Sequence, residues 1–251
     1  MILAIDIGNT NTSIGLFRGR RLVRALAVPT ERWRRGKGPR LRGVRGAEQA
    51  IICSVVPWAT PRVSKALRLA GVRSIRVVGR DVKVPLKNRY AKPRQVGQDR
   101  LVGAYAAWKQ FGEGQGAGGQ GRDCIVVDIG TAVTIDVVTR RGEYLGGVIA
   151  PGLEFARDAL GARAALLPVI RLPGTVPLLG RDTASSIRAG LIRGTAALCE
   201  GLASQLKQRY APKAQVILTG GSAALLRPYF GLPHRACPTL VLDGLQRLAA
   251  K

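Results

Sequence analysis

Asp6-Ile7-Gly8-Asn9-Thr10-Asn11-Thr12-Ser13-Ile14 and, 122 residues further along, Asp128-Ile129-Gly130-Thr131-Ala132-Val133-Thr134-Ile135-Asp136 carry one pattern twice. Each begins D-I-G and has a Thr six residues after the Asp. Each follows an apolar run (Ile2 to Ile5, Cys124 to Val127) and precedes another (Ile14 to Phe17, Ile135 to Val138). Both read as strand, tight turn, strand, with the Gly permitting the turn and the polar residues lining it. The separation is about half of the 251 residues, so the simplest inference is two related lobes, 1–115 and 122–251, facing one another. Between them, residues 112–121 (GEGQGAGGQG) form a low-complexity connector.

Helical spacing fills the intervals. From Asp99 to Phe111, Leu101, Ala104, Tyr105, Trp108 and Phe111 fall on one face. From about Thr183 to Tyr210, Ile187, Leu191, Leu198 and Leu202 form a stripe, with Thr183 a candidate N-cap. Strands alternating with helices give the α/β class.

Composition bounds the remaining possibilities. A chain 46% apolar and 22% charged can bury a core without disulfides or a structural metal. Cys53, Cys124, Cys199 and Cys237 lie far apart with no C-x-x-C pair, which argues against a zinc or redox motif and fits a reducing, cytoplasmic setting. Met1 runs straight into Ile2-Leu3-Ala4-Ile5 with no signal-peptide pattern, and the longest apolar stretch is broken by Asp128 and Asp136, so no membrane span is expected. The unusual quantity is charge: 40 Lys and Arg against 15 Asp and Glu give +25. Such a field draws phosphates of every kind. Arg18 to Arg45 holds eleven basic residues with only Glu31 against them, around a segment, Glu31 to Arg40, that reads as a mobile surface loop. A solvated basic face explains it. Nucleic acid is a disfavoured partner, since Trp33 alone among the arginines is thin support for base stacking.

The turn at Asp6 has the materials of a polyphosphate site. Gly8, Asn9, Thr10, Asn11, Thr12 and Ser13 supply hydroxyls, amides and accessible backbone N–H groups, and Asp6 beside them can hold Mg²⁺ directly or through water. The second copy offers Asp128, Thr131 and Thr134. Two such turns across a cleft would clamp a nucleotide from both sides, as reactions governed by positioning and electrostatics require. His234 is the one histidine and reads as surface, so histidine catalysis is nearly excluded. No G-x-x-x-x-G-K-[ST] loop is present, which disfavours a P-loop kinase.

These segments, in order, resemble type III pantothenate kinases. The resemblance rests on Asp6-x-Gly8-Asn9-Thr10, Gly97-x-Asp99-Arg100 ahead of a helix, Asp128-x-Gly130-Thr131-Ala132-x-Thr134-x-Asp136 and Gly146-Gly147-x-Ile149-x-Pro151-Gly152. Ser54-Val55-Val56-Pro57 and Thr219-Gly220-Gly221 add to it, so that nearly the whole chain is covered. It implies two related lobes of the actin-like, ribonuclease H-like kinase architecture with a nucleotide cleft between them. The implied reaction transfers phosphate from ATP to the 4′-hydroxyl of pantothenate, the first step of coenzyme A synthesis. By the same resemblance Asp6, Ile7, Gly8, Asn9, Thr10, Asn11, Thr12 and Ser13 bind ATP phosphates, with Asp6 near Mg²⁺ and Thr131 reaching the nucleotide from the other lobe. Asp99 is the base for the acceptor hydroxyl. Tyr90, Gly97, Gln98, Asp99, Arg100 and Thr183 line the pantothenate pocket, Asp128 coordinates K⁺ or NH₄⁺, and Thr219-Gly220-Gly221 lies near the adenosine. A homodimer is implied as well. The roles make chemical sense: a carboxylate that takes a proton late in a loose transition state suits phosphoryl transfer to an alcohol, and Arg100 offers a planar fork to an anionic substrate. Lys92 and Gln98 depart from the Asn and small residue that family members often carry there.

Two competing readings keep the fold and change the function: a kinase for another small hydroxylated metabolite, or a regulatory, nucleic-acid-binding relative. The joint presence of Asp6, Asp99 and Asp128 disfavours a degenerate binding module.

Overall fold

The computed structural model describes residues 1–34, 46–114 and 121–250. The Gly-rich connector between 115 and 120, and the basic stretch between 35 and 45, lie outside the described residues. The chain divides into two compact units, Met1–Gln110 with Thr239–Lys251, and Phe111–Pro238.

The first unit is built on β1 (Ile2–Ile7), β2 (Asn11–Arg18), β3 (Arg21–Pro29), β4 (Gln49–Ser54) and β5 (Ser74–Val77), in the order β3-β2-β1-β4-β5. The three consecutive strands β1 to β3 pair antiparallel, while β4 joins β1 and β5 joins β4 in parallel. Alternation decides which side chains face which layer. Leu3, Ile5, Ile7, Ile14, Leu16 and Ile52 meet the short helix α1 (Glu31–Arg34) and α2 (Ala59–Leu69). Ala4, Phe17, Ile51 and Cys53 point the other way, toward α3 (Gln98–Ala107), which follows a two-residue strand β6 (Lys87–Asn88).

The second unit repeats the plan. Strands β7 (Cys124–Ile129), β8 (Ala132–Val138), β9 (Glu143–Pro151), β10 (Gln215–Thr219) and β11 (His234–Ala236) are ordered β11-β10-β7-β8-β9. The β7–β8 and β8–β9 pairs are antiparallel; β10 joins β7, and β11 joins β10, in parallel. These five strands thus repeat the order and the strand directions of the first sheet. The helices here are α4 (Leu153–Arg163), α5 (Thr183–Tyr210) and the short α6 (Ala223–Leu226). The core gathers Ile125, Val127, Ile129, Val133 and Ile135 against Leu191, Ile192, Ala196, Cys199 and Ala203 of α5. Small residues at 196, 199 and 203 form the inward stripe of that helix. Leu198, expected on it, is 40% exposed. The helix spans the expected residues, but its N-cap is Asp182 rather than Thr183: the Asp182 carboxylate accepts from Ser185 N–H at 2.8 Å, closing a capping box.

The last helix, α7 (Leu240–Ala249), corrects the expected boundary. The sequence reading assigns all of 122–251 to the second lobe, yet α7 packs on α3, β1 and β4 of the first unit. Leu242, Leu245 and Leu248 enter the cluster of Ala4, Phe17, Ile51, Val102 and Tyr105. Gly244 is the point of closest approach, since a Cβ there would press 2.7 Å from the Val102 carbonyl oxygen. The same packing explains why α3 is buried all round from Leu101 to Ala107 instead of along one face. Past Ala107 the helix widens into a π-helical turn, Trp108–Gly112.

Candidate active site

At the first D-I-G turn, Ile7 pairs with Thr12 and Asp6 with Ser13, leaving Gly8, Asn9, Thr10 and Asn11 as the loop. The carbonyls of Gly8, Thr10 and Asn11, and that of Ile7 just before them, are engaged by the protein. Ile7 C=O accepts from Val55 N–H (3.1 Å), Thr10 C=O from Thr30 N–H (2.8 Å) and Asn11 C=O from Gly8 N–H (3.0 Å), while Gly8 C=O accepts from the Thr30 hydroxyl (2.7 Å). With those three loop acceptors occupied, the exposed rim of Asn9, Thr10 and Asn11 carries amide and hydroxyl groups able to donate. That polarity suits an anion.

Two residues expected among the phosphate contacts sit elsewhere. Ile7 is fully buried in the core of the first unit. Thr12 is also fully buried, and its hydroxyl lies 3.0 Å from that of Thr30 and accepts from Trp33 Nε1 at 3.1 Å. It shares a sheet face with Ile14 and Leu16, so its side chain supports the turn from beneath. Trp33 is likewise corrected: at 3% exposure it is a core residue, unavailable for stacking on a base.

The charges of Asp6 and Asp99 both reach the Cys53 thiol. Cys53 stands directly across from Asp6 in the parallel β1–β4 register. Its thiol is pushed well up by burial, then by the charges of Asp6 and Asp99. A thiol held neutral between two carboxylates adds no charge to them. Asp99 lies in the first turn of α3, where one carboxylate oxygen accepts from Arg100 N–H at 2.8 Å. Burial raises its pKa, opposed by that N–H and by the Arg100 charge. Gly97 is the N-cap of α3, and any side chain there would run into the Asp99 carboxylate. Gln98 packs over Gly79, a glycine at φ +86° with 3.0 Å between the position of a Cβ and the Gln98 amide carbon. Tyr90 is half-buried, its N–H donating to Asn88 Oδ1 at 3.0 Å, and exposed Lys92 precedes the turn Pro93–Gln95 that leads to Gly97.

The second unit holds Asp128, Thr131 and Thr183. Here the loop is one residue shorter, because Ile129 pairs with Val133 and Asp128 with Thr134. Thr134 therefore occupies the place of Ser13, and the Thr six residues after each Asp does not superpose. Thr131 is exposed; its carbonyl accepts from Gly152 N–H at 3.2 Å, and a Cβ on Gly152 would strike the Gly130 and Thr131 carbonyls. Thr219 pairs with Asp128 as Cys53 does with Asp6, and Ser222 N–H donates to Ile129 C=O (3.0 Å) as Val55 N–H does to Ile7 C=O (3.1 Å). Ser54-Val55-Val56-Pro57 and Thr219-Gly220-Gly221, unlike in sequence, are thus structural counterparts. Gly220 has φ +99° and abuts Asp128 and Ile129 so closely that only glycine fits. Asp136 is buried beside Gly147 and accepts from Tyr144 Oη at 2.7 Å, a supporting role on the sheet. Thr183 is exposed at the start of α5.

Sequence reasoning missed Thr30, Cys53 and the support given by Trp33. Only Cys53 carried a signal, as the last apolar residue of the β4 run.

Among the described residues no helix is long and apolar enough to cross a membrane. A family model for type III pantothenate kinase matches residues 2–205. The type III pantothenate kinase of Desulfovibrio desulfuricans is 39% identical over 259 residues, covering 98% of this chain and 95% of its own. Among solved structures, a protein described as a Baf family transcriptional activator from Campylobacter jejuni aligns with a TM-score of 0.64 at 17% identity, over 99% of this chain and 97% of that one. A protein described as an N-acetylglucosamine kinase from Porphyromonas gingivalis aligns at 0.51 and 14%, over 99% and 98%. At such identities the two structures speak to fold, which is that of the actin-like ATPases and sugar kinases.

Proposed function

The chain belongs to the type III pantothenate kinase family and phosphorylates pantothenate with ATP, and from that premise we propose how its residues divide the work. The reading is carried by one observation: a turn at Gly8–Asn11 whose Gly8, Thr10 and Asn11 carbonyls are taken up by the protein, at the end of the strand that carries Asp6, with the charges of Asp6 and Asp99 both acting on the buried Cys53 thiol.

The rim of Asn9, Thr10 and Asn11, with Gly8 and Ser13, binds the ATP phosphates. Mg²⁺ is characteristically held by one or two carboxylates plus substrate phosphates, and Asp6 fits as that carboxylate; the ion would neutralise charge on the transferring group. The pantothenate 4′-hydroxyl oxygen forms the new bond to the γ-phosphorus as the bond to the ADP oxygen breaks. Its proton passes to Asp99, whose raised pKa makes it a better acceptor than an ordinary carboxylate. Arg100, Gly97, Gln98 and Tyr90 bind pantothenate, and Thr183 is a further contact to it. Thr131 meets the nucleotide from the second turn, Thr219-Gly220-Gly221 lies by the adenosine, and Asp128 holds K⁺ or NH₄⁺. The enzyme works in the cytoplasm as a homodimer, a state supported by exposed Leu166 (93%), Leu178 (82%), Leu179 (74%) and Phe155 (61%) in the second unit.

The test is a phosphorylation assay with ATP, Mg²⁺ and pantothenate, with and without K⁺. K⁺-dependent turnover is expected, with Asp99→Asn lowering kcat by about 10²-fold or more while ATP binding survives. Full activity in that variant refutes Asp99 as the base.

A further inference from the structure

We propose that Thr30 and Trp33 are positioning residues for the nucleotide, acting through a one-way relay of buried hydrogen bonds that ends on the phosphate turn. The proposal rests on the reading of Gly8–Asn11 as the phosphate site and adds what holds it in shape. Proton counting sets the direction. A carbonyl can only accept, so the Thr30 hydroxyl spends its single proton on Gly8 C=O (2.7 Å). The 3.0 Å contact between the Thr12 and Thr30 hydroxyls must then be a donation from Thr12. Thr12 in turn accepts from the indole N–H of Trp33 (3.1 Å), which can only donate. The chain runs Trp33 N–H, Thr12 O–H, Thr30 O–H, Gly8 C=O, each link satisfied by the one before.

Thr30 grips the turn a second time, its backbone N–H donating to Thr10 C=O at 2.8 Å. Gly8 and Thr10 are thereby fixed from one residue, with the exposed Asn9 between them. The origin of the relay is rigid too. Trp33 sits in the core, its backbone N–H bonded to Thr30 C=O (3.0 Å), and the neighbouring Arg34 guanidinium lies 4.6 Å from the centroid of the Trp58 ring on the entry to α2. Every member of the chain except Gly8 is buried, so each link is strong and expensive to leave unmade. Helix α1, remote in sequence from the turn, therefore sets how well the turn is pre-formed for phosphate.

The measurements are ATP·Mg affinity by calorimetry without acceptor, steady-state kinetics and Tm for Thr30→Val, Thr30→Ser and Trp33→Phe. Thr30→Val is expected to weaken ATP binding and raise its KM about tenfold, equivalent to about 1.4 kcal/mol, with kcat and the pantothenate KM within about twofold of wild type. Thr30→Ser restores the hydroxyl and the affinity. Trp33→Phe keeps the ring in the core, removes only the N–H, and weakens ATP binding about threefold. A lowered Tm with ATP affinity within twofold of wild type overturns the proposal, because a merely structural role predicts that result. If Thr30→Val does not fold, Trp33→Phe decides by the same criterion. Wild-type protein that binds ATP yet leaves pantothenate untouched sinks the acceptor assignment alone, and the calorimetry still decides the relay.

Discussion

In Asp99, the base we propose, one side chain sets catalysis against stability. Burial raises its pKa, so the folded protein binds the proton more tightly than the unfolded chain does. The stability this residue contributes is fully present below the ordinary carboxylate value of about 4, and is lost as pH rises through the higher folded value. At neutral pH the ionised carboxylate is held at a cost. Asn is neutral at every pH, so Asp99→Asn should melt higher than wild type near pH 7, with the difference shrinking as pH falls below the folded pKa. A Tm series across that range checks it. The acid limb of kcat/KM in the wild type should lie above the ordinary carboxylate value for the same reason. An equal or lower Tm for the variant at pH 7 would mean that burial is not what perturbs this group. Thr12 shows what can be read at this scale and what passes unnoticed. Its alternation with Ile14 and Leu16 places it on the core face, and that signal was in the sequence. Its polar partners Thr30 and Trp33 were not foreseeable, because contacts 18 and 21 residues away in the chain leave no local trace.

At the scale of elements, the doubled D-I-G pattern foretold two hairpins that recur in sheets sharing one five-strand order. It could not reveal turn length. Counting from the Asp aligns Thr12 with Thr134, whereas pairing aligns Ser13 with Thr134, since one loop is a residue longer. Helix α7 was hidden for another reason. An amphipathic stripe states that a helix buries one face without stating against which sheet. Leu245, fully buried in the first unit's cluster, makes the assignment testable. Leu245→Ala should cost about 2–5 kcal/mol of stability in that unit. Native-state hydrogen exchange should quicken in β1, β4 and α3 while β7 and α5 keep their protection. The reverse pattern would place α7 with the second unit.

For the molecule as a whole, association is the property that charge and apolar exposure argue in opposite directions. A net charge of +25 repels a second copy at long range. Exposed ion pairs such as Arg34 with Glu31, Arg80 with Asp81 and Arg157 with Asp158 are local contacts that neutralise little of it. Against this stand Leu166, Leu178 and Leu179, nearly bare side chains within fourteen residues of the second unit. Repulsion between surface charges is screened beyond about 8 Å at physiological ionic strength, whereas covering a leucine gains roughly 1.5–3 kcal/mol at any salt concentration. Short-range apolar contact should therefore win, and salt should strengthen rather than weaken it. Light scattering is expected to return twice the monomer mass at physiological salt, with dissociation rising as salt is lowered. Leu178→Asp with Leu179→Asp should leave monomers at every salt concentration while the second unit keeps its fold by circular dichroism. A wild-type protein that stays monomeric at high salt, or a double variant that stays dimeric, would remove these leucines from any subunit contact.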